Sequence, residues 1–183
     1  PDPIAPYLRA VASENEVRLH RPVPVGWCSW YKYMRGVSQS AVESNLGWAA
    51  DQQAAIPLEI VQVDDGYQAA EAEMLETNEQ FPAGLPALAH SIRARGLTPG
   101  LWLAPFITRP GSALARRHAG WLQRTRHGLP ANAGSTWAPL SRGLDVTQPE
   151  VIAYTQELIR RAVHDAGFQY LKESQGASAV LTD

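Results

Sequence analysis

Four short apolar runs, separated by segments with helical spacing, constrain this chain more than any other feature. The runs are residues 25–30, 58–63, 97–106 and 168–172. The second, Leu58-Glu59-Ile60-Val61-Gln62-Val63, is rich in β-branched residues and ends in the turn Asp64-Asp65-Gly66. Between the runs the period changes. Val42, Leu46 and Ala49 share one face of a helix expected over 38–51, with Ser40 and Glu43 spaced as a capping box. Leu85, Leu88, Ala89 and Ile92 mark a second helix, with Gly96 where a left-handed cap belongs. A third is expected over 112–124, carrying Leu114, Trp121 and Leu122. A fourth starts at a Thr147/Glu150 capping box, runs through Val151, Leu158 and Val163, and stops at Gly167.

Strands alternating with amphipathic helices imply parallel βα units. About four units are expected, half of a (β/α)8 TIM barrel in the α/β class, since a complete barrel has eight strands and typically ~250 residues against 183 here. Residues 1–22 read as a lead-in, broken from the rest by Pro22-Val23-Pro24. Tyr7, Leu8 and Val11 in it have helical spacing, which predicts a short helix packed under the barrel. The half-barrel spans 23–172, with a long Gly/Pro-rich loop over 128–143, and 173–183 read as a tail. Such a half-barrel has two unpaired edges and strands too apolar to face water. The expectation is self-association, most simply as a homodimer.

The net charge of -2 implies no large basic surface for nucleic acid. No apolar run approaches the roughly 20 residues a membrane span needs, so no membrane partner is expected. The single cysteine, Cys28, excludes an internal disulfide. With no leader pattern at Pro1-Asp2-Pro3, a cytoplasmic location is the expectation. His20, His90, His118, His127 and His164 lack metal-ligand spacing, and no metal or cofactor is expected.

The chemistry centres on Asp64-Asp65. In a βα barrel the active site opens at the C-terminal ends of the strands, where this pair lies. Two adjacent carboxylates repel unless hydroxyls, solvent or a cation relieve them, and sugar hydroxyls are good donors to such a pair. An Asp-Gly turn with a solvated neighbour fits the local sequence equally well. Cys28 reads as inert packing in a buried strand. Trp102 beside Pro105 reads as core or as the wall of a sugar pocket.

Gly26-Trp27-Cys28-Ser29-Trp30, followed by Val63-Asp64-Asp65-Gly66-Tyr67-Gln68, resembles glycoside hydrolase family 36, the alpha-galactosidases and their raffinose-synthase relatives. Glu76-Thr77-Asn78-Glu79-Gln80-Phe81-Pro82, Gly100-Leu101-Trp102-Leu103-Ala104-Pro105, Asp145-Val146-Thr147-Gln148-Pro149 and Tyr170-Leu171-Lys172 continue the resemblance in order, from Val25 to Lys172. It implies retaining hydrolysis of terminal alpha-galactosides by two carboxylates, one a nucleophile and one an acid/base. Carried over, Asp64, Asp65, Trp30 and Lys172 match sugar-contacting positions. The family's nucleophilic Asp lies two residues after the strand-four lysine, where this chain has Ser174, and its acid/base comes from a later strand. Glu173 is one residue out of register, and Glu73-Met74 stand where the family has an Asp-Trp sugar-contact pair. The expectation is a truncated, catalytically silent half-barrel that binds a galactoside at most weakly. The alternative is an enzyme completed by another chain.

Overall fold

The computed structural model describes residues 2–17, 23–52, 55–69, 73–134 and 141–173. Helix α1 (Ala5–Glu14) starts on Pro6 in its first turn, where the missing N–H costs nothing. It buries none of its residues, so the expected packing under the barrel is not found. Tyr7 and Leu8 remain exposed, because their stripe meets no apolar partner among the described residues.

Strand β1 (Gly26–Cys28) is shorter than the run expected over 25–30. Its ladder ends where the Ser29 amide donates to the Gln62 carbonyl. The Lys32 and Tyr33 amides then donate to the Ser29 carbonyl and wind the chain into α2 (Trp30–Tyr33). Trp30 therefore opens a helix rather than closing a strand. Helix α3 (Gln39–Asp51) is capped by Ser38, not Ser40. Ser38 is extended and its hydroxyl accepts from the Ala41 amide at 3.2 Å, whereas Ser40 already lies inside the first turn. Val42, Leu46 and Ala49 are buried, as their spacing requires.

Strand β2 (Ile60–Val63) is buried along its whole length. Helix α4 (Gly84–Arg93) buries Leu85, Leu88, Ala89 and Ile92. Gly96, at φ +75°, then reverses the chain into β3 (Thr98–Leu103). Beyond Pro105, β4 (Ile107–Thr108) is a separate short strand. The helix expected over 112–124 is only α5 (Ala113–Arg117), followed by a tight turn at Ala119–Trp121. Gly120 weakens the helix there, and the Gln123 amide is drawn to the Gly143 carbonyl of β5 (Arg142–Gly143), which pairs antiparallel with β4.

Helix α6 (Pro149–Arg160) also starts differently from expectation. The Thr147 hydroxyl donates to Asp145 Oδ1 at 2.6 Å instead of capping, and extended Gln148 precedes Pro149. The helix widens into a π turn at Arg161–Asp165, and Gly167 (φ +84°) ends it before β6 (Tyr170–Glu173).

The main sheet has the order β1-β2-β3-β6, every pair parallel. Strand order equals chain order, as in one half of a TIM barrel, and this α/β half-barrel is the architecture expected. Val61, Val63, Leu101, Leu103 and Phe168 pack with Val42, Leu46, Leu85, Leu88, Ile92 and Ala162 in one core. Each such Val, Leu, Ile or Phe side chain, fully buried, stabilises the fold by roughly 1.5–3 kcal/mol. A smaller cluster of Leu114, Leu144 and Val151 holds the β4–α6 region. Among the described residues no helix is long and apolar enough to cross a membrane.

Candidate functional site

Period-two alternation on β2 sends Val61 and Val63 into the helix-facing core and puts Ile60, Gln62 and Asp64 on the opposite, inner face. Gly26 and Gly100, the register partners of Ile60 and Gln62, leave room for those side chains. A Cβ on Gly26 would sit 3.1 Å from Ile60 Cβ, and one on Gly100 would sit 3.0 Å from Gln62 Cβ. Asp64 thus leaves the C-terminal end of β2 on the same face as Cys28 of β1 and Lys172 of β6.

The structure brings three of these groups together. Asp64 Oδ2 accepts from Lys172 Nζ at 2.7 Å, from Gln62 Nε2 at 2.8 Å and from the Cys28 thiol at 3.4 Å. Asp64 Oδ1 accepts from the Asp65 amide at 3.0 Å, and the Asp64 amide donates to Ser29 Oγ at 2.9 Å. The Lys172 bond joins residues 108 positions apart and spans from β2 past β3 to β6. Burial alone would push the Asp64 carboxyl up. The bonds from Lys172, then Gln62 and the Asp65 amide, outweigh it and hold the group below its ordinary value. Burial lowers the Lys172 ammonium, but the Asp64 carboxylate more than restores it and its pKa is raised. Burial and the nearby Asp64 charge push the Cys28 thiol up, against the Trp30 backbone, in keeping with the bond it donates to Asp64.

Asp65 turns the other way. Its Oδ2 accepts from Arg35 Nε at 3.0 Å and its Oδ1 from Gln68 Nε2 at 2.6 Å. Gly66 makes this geometry possible. At φ +121° it leaves space for the Arg35 backbone, whose carbonyl oxygen would lie 2.7 Å from any Cβ placed there. Beneath the turn, the fully buried Tyr67 hydroxyl lies 2.8 and 2.9 Å from the carbonyls of Met74 and Trp102. Its burial, and then the two aspartates, push its pKa well up and keep it a neutral donor.

Two cavities flank the pair. One, of about 400 Å³, opens on the inner face between Gly26, Cys28, Ile60, Gln62, Tyr170 and Lys172. The other, of about 290 Å³, lies beside Arg35, Asp65, Gln68, Asn78 and Arg109. A site with two carboxylates, a lysine and amide donors around open space suits a polyhydroxylated ligand, whose hydroxyls both donate and accept.

Of the residues expected at the site, Asp64 and Lys172 meet, and Asp65 adjoins them through its amide while its carboxylate turns to Arg35 and Gln68. Trp30, half-buried at the start of α2, is not among their hydrogen-bond partners in the described residues, and Ser174 lies outside those residues. Cys28, expected to be inert packing in a buried strand, is half-exposed and bonded to Asp64. Trp102 is core, 1% exposed. Met74 is buried in the core, and Glu73 faces a separate cavity with Arg117, Tyr154 and Glu157. The sequence reading missed Gln62, Arg35 and Gln68. Gln62 was within its reach, since it stands two residues before Asp64 on a strand. Arg35 was not, because it arrives by the turn after α2.

The model of the melibiase family matches residues 29–178. The chain belongs to this family. The solved structure of a Thermus thermophilus alpha-galactosidase in complex with p-nitrophenyl alpha-D-galactopyranoside is similar to 90% of the chain, with 35% identity and a TM-score of 0.82. The curated alpha-galactosidase AgaA of Geobacillus stearothermophilus is 27% identical over 126 residues, 65% of this chain. A crystal structure of that GH36 enzyme shares the fold, with a TM-score of 0.72 over 84% of the chain at 22% identity. The melibiase chain described here spans 33% of the Thermus protein and 17% of the Geobacillus one. It is alpha-galactosidase-like and covers part of the catalytic barrel, the part that carries the paired aspartates.

Proposed function

We propose that this melibiase half-barrel holds a terminal galactosyl unit at the C-terminal mouth of its strands through Asp64, Asp65 and Lys172, and does not by itself hydrolyse the glycosidic bond. The observation that carries the binding reading is the Lys172–Asp64 bond of 2.7 Å, made at the strand ends beside Asp65 and an open cavity. The complexes of the Thermus relative with p-nitrophenyl alpha-galactoside and with stachyose support the choice of sugar. The silent chemistry rests on the residue types. Retaining hydrolysis needs a carboxylate nucleophile and a carboxylic acid on opposite sides of the scissile bond. Ser174 stands two residues after Lys172, and a serine without a base is a poor nucleophile. Glu173 pairs in register with Leu103 and alternates to the face opposite Lys172.

Galactose is expected to bind the purified chain weakly, and the Asp64→Asn/Asp65→Asn double variant is expected to lose that binding. Equal affinity in the two proteins would reduce the pair to a turn. No galactose is expected from an aryl alpha-galactoside above background, and release at ordinary enzyme rates would overturn the silent reading. The half-exposed edges β1 and β6 and the open inner face further support pairing with a second copy. Sedimentation equilibrium at micromolar protein is expected to show a dimer, and a monomer across the whole range would sink that part of the proposal.

A further inference from the structure

Asp64 Oδ2 receives three donors, and one of them comes from the central strand rather than from an edge. Gln62 is 5% exposed and lies on the inner face two residues before Asp64, where its amide donates to Asp64 Oδ2 at 2.8 Å. Its path is set from below. Gly100 sits beside it in register, and an ideal Cβ there would come within 3.0 to 3.1 Å of Gln62 Cα, Cβ and Cγ. A side chain at position 100 would therefore push Gln62 off this course. The other donors to Oδ2, Cys28 and Lys172, stand on the edge strands β1 and β6. Gln62 stands on the buried strand β2, the same strand that ends in Asp64.

We propose that Gln62 is a positioning residue for Asp64, fixing which carboxylate oxygen faces the sugar. The proposal rests on the reading of Asp64 as a galactosyl acceptor. A carboxylate has about four lone-pair sites. On Oδ2, Gln62 and Lys172 occupy the strong positions, with the thiol a weaker third. Among the described residues Oδ1 has one bond, from the Asp65 amide, so it keeps an acceptor position for a ligand hydroxyl. Without the Gln62 amide the carboxylate can rotate about its last torsion, and the oxygen left for a ligand hydroxyl is no longer fixed. The charged and titratable groups around Asp64 are Lys172 from β6, Cys28 from β1, and Asp65 and Tyr67 from its own turn.

The test uses Gln62→Met, close in shape and without the donor, with Gln62→Glu as a second, isosteric variant. Galactose affinity of the whole chain is expected to fall about tenfold in Gln62→Met, the loss of one hydrogen bond to a charged group. The carboxyl carbon signal of Asp64, followed by NMR against pH, is expected to titrate at a higher pH than in the parent. A purely structural role would not move that midpoint while the rest of the spectrum stays unchanged. In Gln62→Glu the two carboxyls are expected to share a proton that leaves above the ordinary carboxylate range. An unmoved Asp64 midpoint in the variant that folds, or unchanged galactose affinity, overturns the proposal. If the parent chain binds no galactose, the galactosyl reading falls instead. The midpoint then decides the positioning role on its own: a raised value upholds it and an unmoved one ends it.

Discussion

Strands β2 and β3 sit in the middle of the sheet, and β1 and β6 at its edges. The four belong to one parallel ladder yet live in different environments. Every residue of β2 is buried, and β3 is buried beyond Thr98, whereas no residue of β1 or β6 is. The candidate site draws on both. Asp64 and Gln62 come from the centre, Cys28 and Lys172 from the edges. The centre supplies a carboxylate at the end of a fully buried strand, held there by hydrogen bonds. The edges supply donors that are held chiefly by what they bind. The Lys172–Asp64 bond is therefore a structural tie across the sheet as well as part of the proposed binding site.

The same substitution at two positions joined by register gives the sharpest test of that contrast. Leu101 on β3 is 0% exposed and pairs in register with Leu171 on β6, which is only partly buried. Leu101→Ala is expected to destabilise the chain by about 3 kcal/mol, through lost burial plus an unrelaxed cavity. Leu171→Ala is expected to cost about 1 kcal/mol, because less apolar area is removed from a site that can collapse. Urea unfolding of both variants measures the difference. Equal losses would mean that the edge is covered in solution, as it would be in a dimer.

A second test moves to the turn that joins centre to site. Gly66→Ala forces a Cβ to within 2.7 Å of the Arg35 carbonyl at a φ of +121°. The contact is with backbone, so no rotamer change relieves it. A loss of about 2 kcal/mol is expected, together with weaker galactose binding, since Arg35 and Asp65 move with the turn. Wild-type stability in thermal melts would show that the Asp-Asp-Gly turn can rearrange, and that Asp65 is less fixed than its bonds to Arg35 and Gln68 suggest.

What was legible in the sequence follows the same division. The central elements were readable because burial on a fixed period writes itself into residue type. Leu85, Leu88, Ala89 and Ile92 are the clearest case, and Val61 and Val63 follow with the buried run on β2. Boundaries set by competing hydrogen bonds were not. Ser38 rather than Ser40 caps α3, and Thr147 turns to Asp145 instead of capping α6. The helix expected through Arg124 gives way where Gln123 finds β5, a partner 20 residues away in sequence that no local pattern reveals. At the site, Asp64, Asp65 and Lys172 were found through the motif, while Arg35 depends on the turn of α2. Cys28 was misread because an edge strand exposes what its apolar composition suggests is buried.

The smallest expected effect concerns the cross-sheet tie itself, through its dependence on pH. The folded-state pKa of Asp64 is lowered, so its contribution to stability is present above the unfolded carboxylate value, ordinarily about 3.9, and is lost as pH falls through the folded value. The folded-state pKa of Lys172 is raised. Its contribution is complete below the unfolded value, ordinarily about 10.4, and is lost as pH rises through the folded one. Both partners then place the tie in one window, from mildly acidic to moderately alkaline pH. Lys172→Met removes the cation but leaves Gln62, Cys28 and the Asp65 amide on the carboxylate. The expected loss near neutral pH is therefore modest, about 1 kcal/mol. The difference in stability between parent and variant should shrink toward zero at both ends of the window, most clearly on the acid side, where Asp64 takes up its proton. Urea unfolding of the two proteins across pH reads this directly. A difference that stays constant from acid to alkaline pH would show that Lys172 acts through its aliphatic stem, and that the edge strand is held by packing like the centre.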